Sequence, residues 1–137
     1  MAQVSFTPII LKLPVTKDPT NQISREMKAL GANVTNRMKK YPPQQSKVNR
    51  SGRSVAYRRT GTLGRNWTYK FASSRGGFQV DVTNPVPYAG FVQGDKGVQV
   101  NDMNRRGWVS IEDVGMSEWR KTLPKIQRIF EDATKSN

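Results

Sequence analysis

Trp67-Thr68-Tyr69-Lys70-Phe71, then Ser73-Ser74-Arg75-Gly76-Gly77, then Phe78-Gln79-Val80-Asp81-Val82-Thr83-Asn84 is the stretch that decides the fold. Both outer segments alternate apolar and polar residues, the mark of a half-buried strand. The segment between them is a turn, by its serine and glycine content. The pattern predicts a β-hairpin with one apolar face, Trp67, Tyr69 and Phe71 opposite Phe78, Val80 and Val82.

Upstream of the hairpin stands Arg58-Arg59-Thr60-Gly61-Thr62-Leu63-Gly64-Arg65-Asn66-Trp67. Leu63 and Trp67 are four apart, so one helical turn places both on one face. Thr60 can cap that turn, and Gly61 permits a close backbone approach or a positive φ. Two readings follow: a solvated turn feeding the strand, or a basic docking element anchored by Leu63 and Trp67. Before it, residues 42–57 carry Lys47, Arg50 and Arg53 among Gln, Ser, Asn and Gly, with little to bury. That composition predicts a mobile basic loop, either functional or disordered.

Further upstream, Asp18-Pro19 reads as a helix start, Asp as the cap and Pro at the first helical position. Ile23, Met27, Leu30, Val34 and Met38 follow at spacings of four, three, four and four. They make one apolar stripe on a helix of about twenty residues. Arg25, Lys28, Arg37, Lys39 and Lys40 fall off the stripe and make the other side basic. Tyr41-Pro42-Pro43 ends the helix. Val4 to Leu13 reads as an edge strand or an arm, because Pro8 cannot donate within a central ladder.

Downstream, Tyr88, Phe91 and Val92 recur at helical spacing after a proline-restricted bend, which predicts a short helix. Gly94-Asp95-Lys96-Gly97 reads as a turn and Val98-Gln99-Val100 as a short strand. Trp108 re-enters the apolar layer. Ser110-Ile111-Glu112-Asp113 reads as a capped helix start. Trp119, Leu123, Ile126, Ile129, Phe130 and Ala133 mark an amphipathic C-terminal helix, interrupted at Gly115 and kinked or restarted at Pro124.

These readings give an α+β fold. A small antiparallel sheet is built on the central hairpin and packed by a long N-terminal helix and a C-terminal helix, with a long basic loop. Residues 1–17 form the N-terminal strand or arm, 18–134 a single domain, and 135–137 a frayed tail. The expected core is Leu30, Val34, Leu63, Trp67, Tyr69, Phe78, Val80, Tyr88, Phe91, Trp108, Trp119, Ile126 and Phe130.

The chain has 137 residues and a net charge of +13, a field that favours anionic partners. Residues 25–65 hold eleven of the 23 Lys and Arg against one acid, Glu26, whereas residues 110–137 carry five basic and five acidic residues. There is no cysteine, so disulfides and thiolate metal sites are excluded, and no histidine, the commonest general base and metal ligand. Gly61-Thr62-Leu63-Gly64 lacks the spacing of a phosphate-binding loop. Asp81, Asp95, Asp102, Glu112 and Asp113 are scattered. The expectation is a non-enzyme without metal or cofactor. No apolar run is long enough to span a bilayer, and the N-terminus does not read as a signal peptide.

Three short elements recur in order: Arg59-Thr60-Gly61-x-Leu63 with Trp67, then Asn84-x-Val86-x-Tyr88-Ala89-x-x-Val92-Gln93-Gly94, then Arg106-Gly107-Trp108 before the last helix. Together they resemble the head–tail joining proteins of tailed bacteriophages, also called neck or tail-completion proteins, over residues 20–134. Two features depart from that pattern. A histidine expected near Gln99 is missing, and Val4 to Leu13 has no counterpart. The resemblance implies a virion subunit assembled in the host bacterial cytoplasm. It would form a homo-oligomeric ring at the head–tail junction, between a portal or adaptor protein and the tail tube or terminator. It would also continue the DNA channel, with no membrane partner. Lys47, Arg50, Arg53, Arg58, Arg59 and Arg65 would then face the channel DNA, without sequence preference, or an adjoining ring. Two alternatives stand beside it: a sequence-independent nucleic-acid-binding protein using Tyr41, Tyr57 and Trp67 for stacking, and a tail terminator or minor tail protein.

Overall fold

In chain order the elements are β1 (Val4–Phe6), β2 (Ile9–Leu11), α1 (Thr20–Met38), β3 (Ser46–Val48), β4 (Ser54–Ala56), α2 (Thr62–Arg65), β5 (Thr68–Ser73), β6 (Gly77–Asn84), α3 (Ala89–Gln93) and α4 (Ile111–Thr134). They come from a computed structural model of the chain, which describes residues 4–13, 15–40, 46–48, 54–56, 62–95, 99 and 107–135. The fold is α+β: one antiparallel sheet packed by helices.

The predicted hairpin forms, with Tyr69 opposite Val82 and Phe71 opposite Val80, and its first strand begins at Thr68, one residue after Trp67. β6 is the central strand. β5 lies along one side, and β1 and β2 lie end to end along the other. Val4 opposes Asn84 and Leu11 opposes Gly77, so both short strands keep one register. The ladder breaks at Thr7-Pro8, because proline has no N–H to give. The Pro8 carbonyl still accepts from the Val80 N–H at 3.2 Å. The N-terminal segment is thus an edge strand of its own subunit's sheet.

Phe78, Val80 and Val82 point from β6 to the helix side and are fully buried. Against them lies the α1 stripe, where Ile23, Met27, Leu30, Val34 and Met38 are each 0–1% exposed. Removing each such side chain from water stabilises the fold by roughly 1.5–3 kcal/mol. The start of α1 is shifted by one residue from the expectation: Pro19 holds the N-cap position, without a side-chain cap bond, and Asp18 stands before it, its Oδ1 accepting from the Thr20 N–H at 3.0 Å. The helix itself is assigned from Thr20. α4 packs beside α1 through Ile111, Val114, Ile126 and Phe130. Its start is capped by Ser110, whose Oγ accepts from the Asp113 N–H at 3.1 Å. At its other end the Ala133 carbonyl, one of those a helix leaves unsatisfied, accepts from the Thr16 and Lys17 N–H groups.

Several expectations are corrected. α4 runs unbroken from Ile111 to Thr134. Pro124 sits on its exposed side, where the carbonyl it strands, that of exposed Arg120, is open to water. Gly115 does not interrupt the helix either. It is a point of close approach, since a Cβ there would lie 2.6 Å from the Phe6 ring of β1. Leu123 is 38% exposed rather than core. Arg37 does not belong to a free basic face. Its guanidinium donates to Glu118 Oε1 at 2.9 Å and to Ser117 Oγ at 3.2 Å, joining the two long helices. Within the predicted loop over 42–57, the backbone of Ser46–Val48 pairs antiparallel with Ser54–Ala56. The rest of that loop lies outside the described residues.

Candidate interaction site

The turn that precedes the hairpin is α2, a single turn held from three directions. Leu63 is 5% exposed and joins Val86 and Ala89 in a second, smaller cluster. Val4, Val92 and Trp108 pack against the same cluster. Trp67 does not share Leu63's face. The chain leaves the helical turn at Asn66, and Trp67 enters the main core with no exposure. Leu63 and Trp67 therefore pin the turn between two cores.

Buried amides complete the junction. The Trp67 indole N–H donates to Gln93 Oε1 at 3.0 Å, and Gln93 Nε2 donates to the Met38 carbonyl at 3.2 Å. The Met38 carbonyl is one of the unpaired acceptors at the end of α1, so this relay ties that helix end to α3 and to the turn. Asn84 Nδ2 donates to the Leu63 carbonyl at 2.9 Å, while its Oδ1 accepts from the Val86 N–H at 3.0 Å. Asn66 Nδ2 reaches the Thr62 carbonyl at 2.7 Å. Gln99 Nε2 donates to the carbonyls of Val92 and Trp108, at 2.7 and 3.0 Å. At the rim the Asp95 carboxyl is pushed up, first by partial loss of surrounding water and then by repulsion from Glu112.

Arg65 projects from this junction into solvent, its guanidinium 3.5 Å from Thr62 Oγ1. Of the six basic residues expected at the site, it alone has a described side chain. Lys47 is described only as backbone of β3, and Arg50, Arg53, Arg58 and Arg59 lie outside the described residues, as do Thr60 and Gly61. Arg25 and Lys28 on α1, and Lys39 and Lys40 just past its end, are exposed. Lys28 arches over the Phe71 ring at 5.2 Å, close enough for a cation–π contact.

The expected core residues divide. Leu30, Val34, Leu63, Trp67, Phe78, Val80, Ile126 and Phe130 are buried. Trp119 is half-buried against the main core and Trp108 against the small one. Tyr88 is 44% exposed and so is not core: it precedes the first turn of α3, outside the face formed by Ala89 and Val92. Tyr69 is 38% exposed because it stands on an edge strand, with its ring laid on Gly31 of α1. The Phe91 side chain lies outside the description. Asn84 and Gln93 are buried braces that apolar periodicity does not single out. Their one signal is an amide at the end of an otherwise apolar strand or helix.

Among the described residues no three Asp or Glu side chains gather in a way that could hold a metal ion, and no helix is long and apolar enough to cross a membrane. Comparison with protein-family models, with curated proteins and with solved structures finds no match.

Proposed function

We propose that this chain is a structural virion protein: a ring-forming connector or tail-completion subunit that joins the portal side of a phage head to the tail and continues the DNA channel. Its role is mechanical rather than catalytic. One observation carries this reading: the three short elements on which the resemblance rests meet in one place. Leu63 from the first, Val86, Ala89, Val92 and Gln93 from the second, and Trp108 from the third surround a single junction. The three elements are separate in the chain, and burial brings apolar side chains from each of them into this one cluster. The junction fixes the turn rigidly while leaving Arg65 outward. A basic element on a rigid mount suits contact with phosphates or with an acidic neighbouring ring.

Electron micrographs of tailed particles lacking this protein test the proposal. Heads without attached tails are expected. Normal heads joined to normal tails would remove the basis for it. The nucleic-acid-binding alternative predicts instead tight binding of DNA by the isolated monomer, with a steep loss of affinity on added salt.

A further inference from the structure

Among the described residues no strand pairs on the outer side of β1–β2 or of β5, and these two edges differ. Of the eight exposed large apolar side chains among the described residues, Ile9, Leu11 and Leu13 lie on β2 and its continuation, and Met116 and Leu123 on α4. Ile9, Leu11 and Leu13 are 54–70% exposed and alternate along the β2 edge, on the face away from the helices. Met116 and Leu123 are seven apart on α4, hence on one stripe. At about 100° per residue that stripe lies opposite Glu118, which faces α1, and toward the β1 side marked by the Phe6–Gly115 contact. The exposed row Ile9, Leu11 and Leu13 is the apolar feature of this edge that a protein contact would cover.

The backbone at that edge is open to a further strand. Pro8 accepts from Val80, and the Lys12 N–H donates to Gly76, so the even-numbered residues of β2 face β6. Ile9 and Leu11 therefore turn their N–H and C=O outward. Proline usually protects an edge. Here its missing N–H falls on the inner side, so the outer row is intact. On the opposite edge, the Ser74–Gly77 pair fixes the phase of β5, and Tyr69, Phe71 and Ser73 turn their backbone groups outward.

From these two edges we infer that the β1–β2 edge receives the β5 edge of a second copy of this chain, in parallel, extending one sheet from subunit to subunit. Parity selects the direction. At the β2 edge the outward-bonding residues carry side chains on the outer face, and at the β5 edge on the helix face. In an antiparallel pair, directly bonded residues share a face, so antiparallel docking would flip every second subunit. In a parallel pair, a residue bonds to the neighbours of its same-face partner, so parallel docking keeps all helices on one side. Two copies of like charge can meet only where charge is sparse. Each copy carries +13 and repels its like. At this edge Lys12 folds over the Phe78 ring at 5.3 Å, which leaves Ile9, Leu11 and Leu13 as an uncharged seam. The contact is head-to-tail, the kind that closes into rings. It rests on the ring-forming reading above and names its seam.

The chain has no native cysteine, which makes disulfide trapping clean. Leu11→Cys and Ala72→Cys are placed in one chain. A second variant pairs Leu11→Cys with Lys70→Cys, one register step along. Within one subunit β6 separates the two positions by two strand spacings, about 10 Å, too far for a disulfide. Oxidation of purified protein is expected to give a ladder of dimers and higher species from one of the double variants. Mixing the corresponding single variants should give dimers, and each single variant alone should stay monomeric. Dimers from Leu11→Cys alone would overturn the proposal in favour of two like edges meeting. Monomers throughout, at concentrations up to about the millimolar range of weak association, would overturn pairing between copies. Trapping reports only how copies meet, whereas micrographs report where the protein works, so either reading can fail without the other.

Discussion

Replacing Gln93 by methionine keeps the side-chain volume and removes two hydrogen bonds at once. Gln93 has no solvent exposure, and its amide joins the Trp67 indole to the Met38 carbonyl. Water does not reach Gln93 to replace it, so both groups lose their partner. Each orphaned group costs about 1–3 kcal/mol. The thioether's extra apolar burial offsets about 1 kcal/mol, leaving a net loss of about 1–5 kcal/mol. For a domain of this size that lowers Tm by roughly 3–25 °C. The protein should remain folded, since domains typically have about 5–15 kcal/mol of stability. Thermal melts followed by far-UV circular dichroism read the shift. A double-mutant cycle sharpens it. Trp67→Phe removes the indole donor, and with Gln93→Met neither member of that bond is left unpaired. The double variant should therefore lose about 1–2 kcal/mol less than the sum of the singles. A Gln93→Met melt within a degree of the parent, or strict additivity in the cycle, would refute the relay as a brace.

Three further outcomes are expected. Gly115→Ala should destabilise by about 1–3 kcal/mol through overpacking on Phe6, outweighing the gain of about 1 kcal/mol in helix propensity; an unchanged or higher Tm contradicts the close approach. Asp18 is held below its ordinary value of 3.8, first by the Thr20 hydroxyl and then by the Thr20 N–H. The stability it contributes is therefore present above that value and lost as pH falls through the lowered one. Asp18→Ala should lower Tm at pH 7, with the gap narrowing as pH falls below 3.8; a gap independent of pH would exclude a role for the carboxylate in holding the Thr20 N–H. Arg58→Ala combined with Arg59→Ala should leave the melt of the subunit unchanged and impair the joining of heads to tails, whereas Trp67→Ala should loosen the fold itself. Equal melting losses in the two variants would break the division between charge display and anchoring.

Local pattern carried much of the architecture. The α1 stripe, the Ser110 cap, the turn and apolar face of the hairpin, and the edge position forced by Pro8 are all consequences of neighbours in sequence, and each appears in the structure. Two expectations based on local rules failed for a shared reason. Gly115 and Pro124 weaken a helix in isolation, yet tertiary packing on Phe6 and solvent at the exposed side let α4 continue. Tyr69 and Tyr88 have the composition of core residues, but an edge position and the place before a helix leave them half in water.

The candidate site was legible only in outline. Charge, turn chemistry and alternation are local properties, so a basic, glycine-containing turn leading into an aromatic hairpin is readable from the chain alone. The tertiary structure is what sends Leu63 and Trp67 into different cores. It alone joined Gln93 to a carbonyl 55 residues away and Arg37 to a carboxylate 81 residues away. It also left the β1–β2 edge open with its apolar side chains outward. Such contacts depend on where distant elements come to rest, and apolar periodicity reports which face of an element is buried but not what it is buried against.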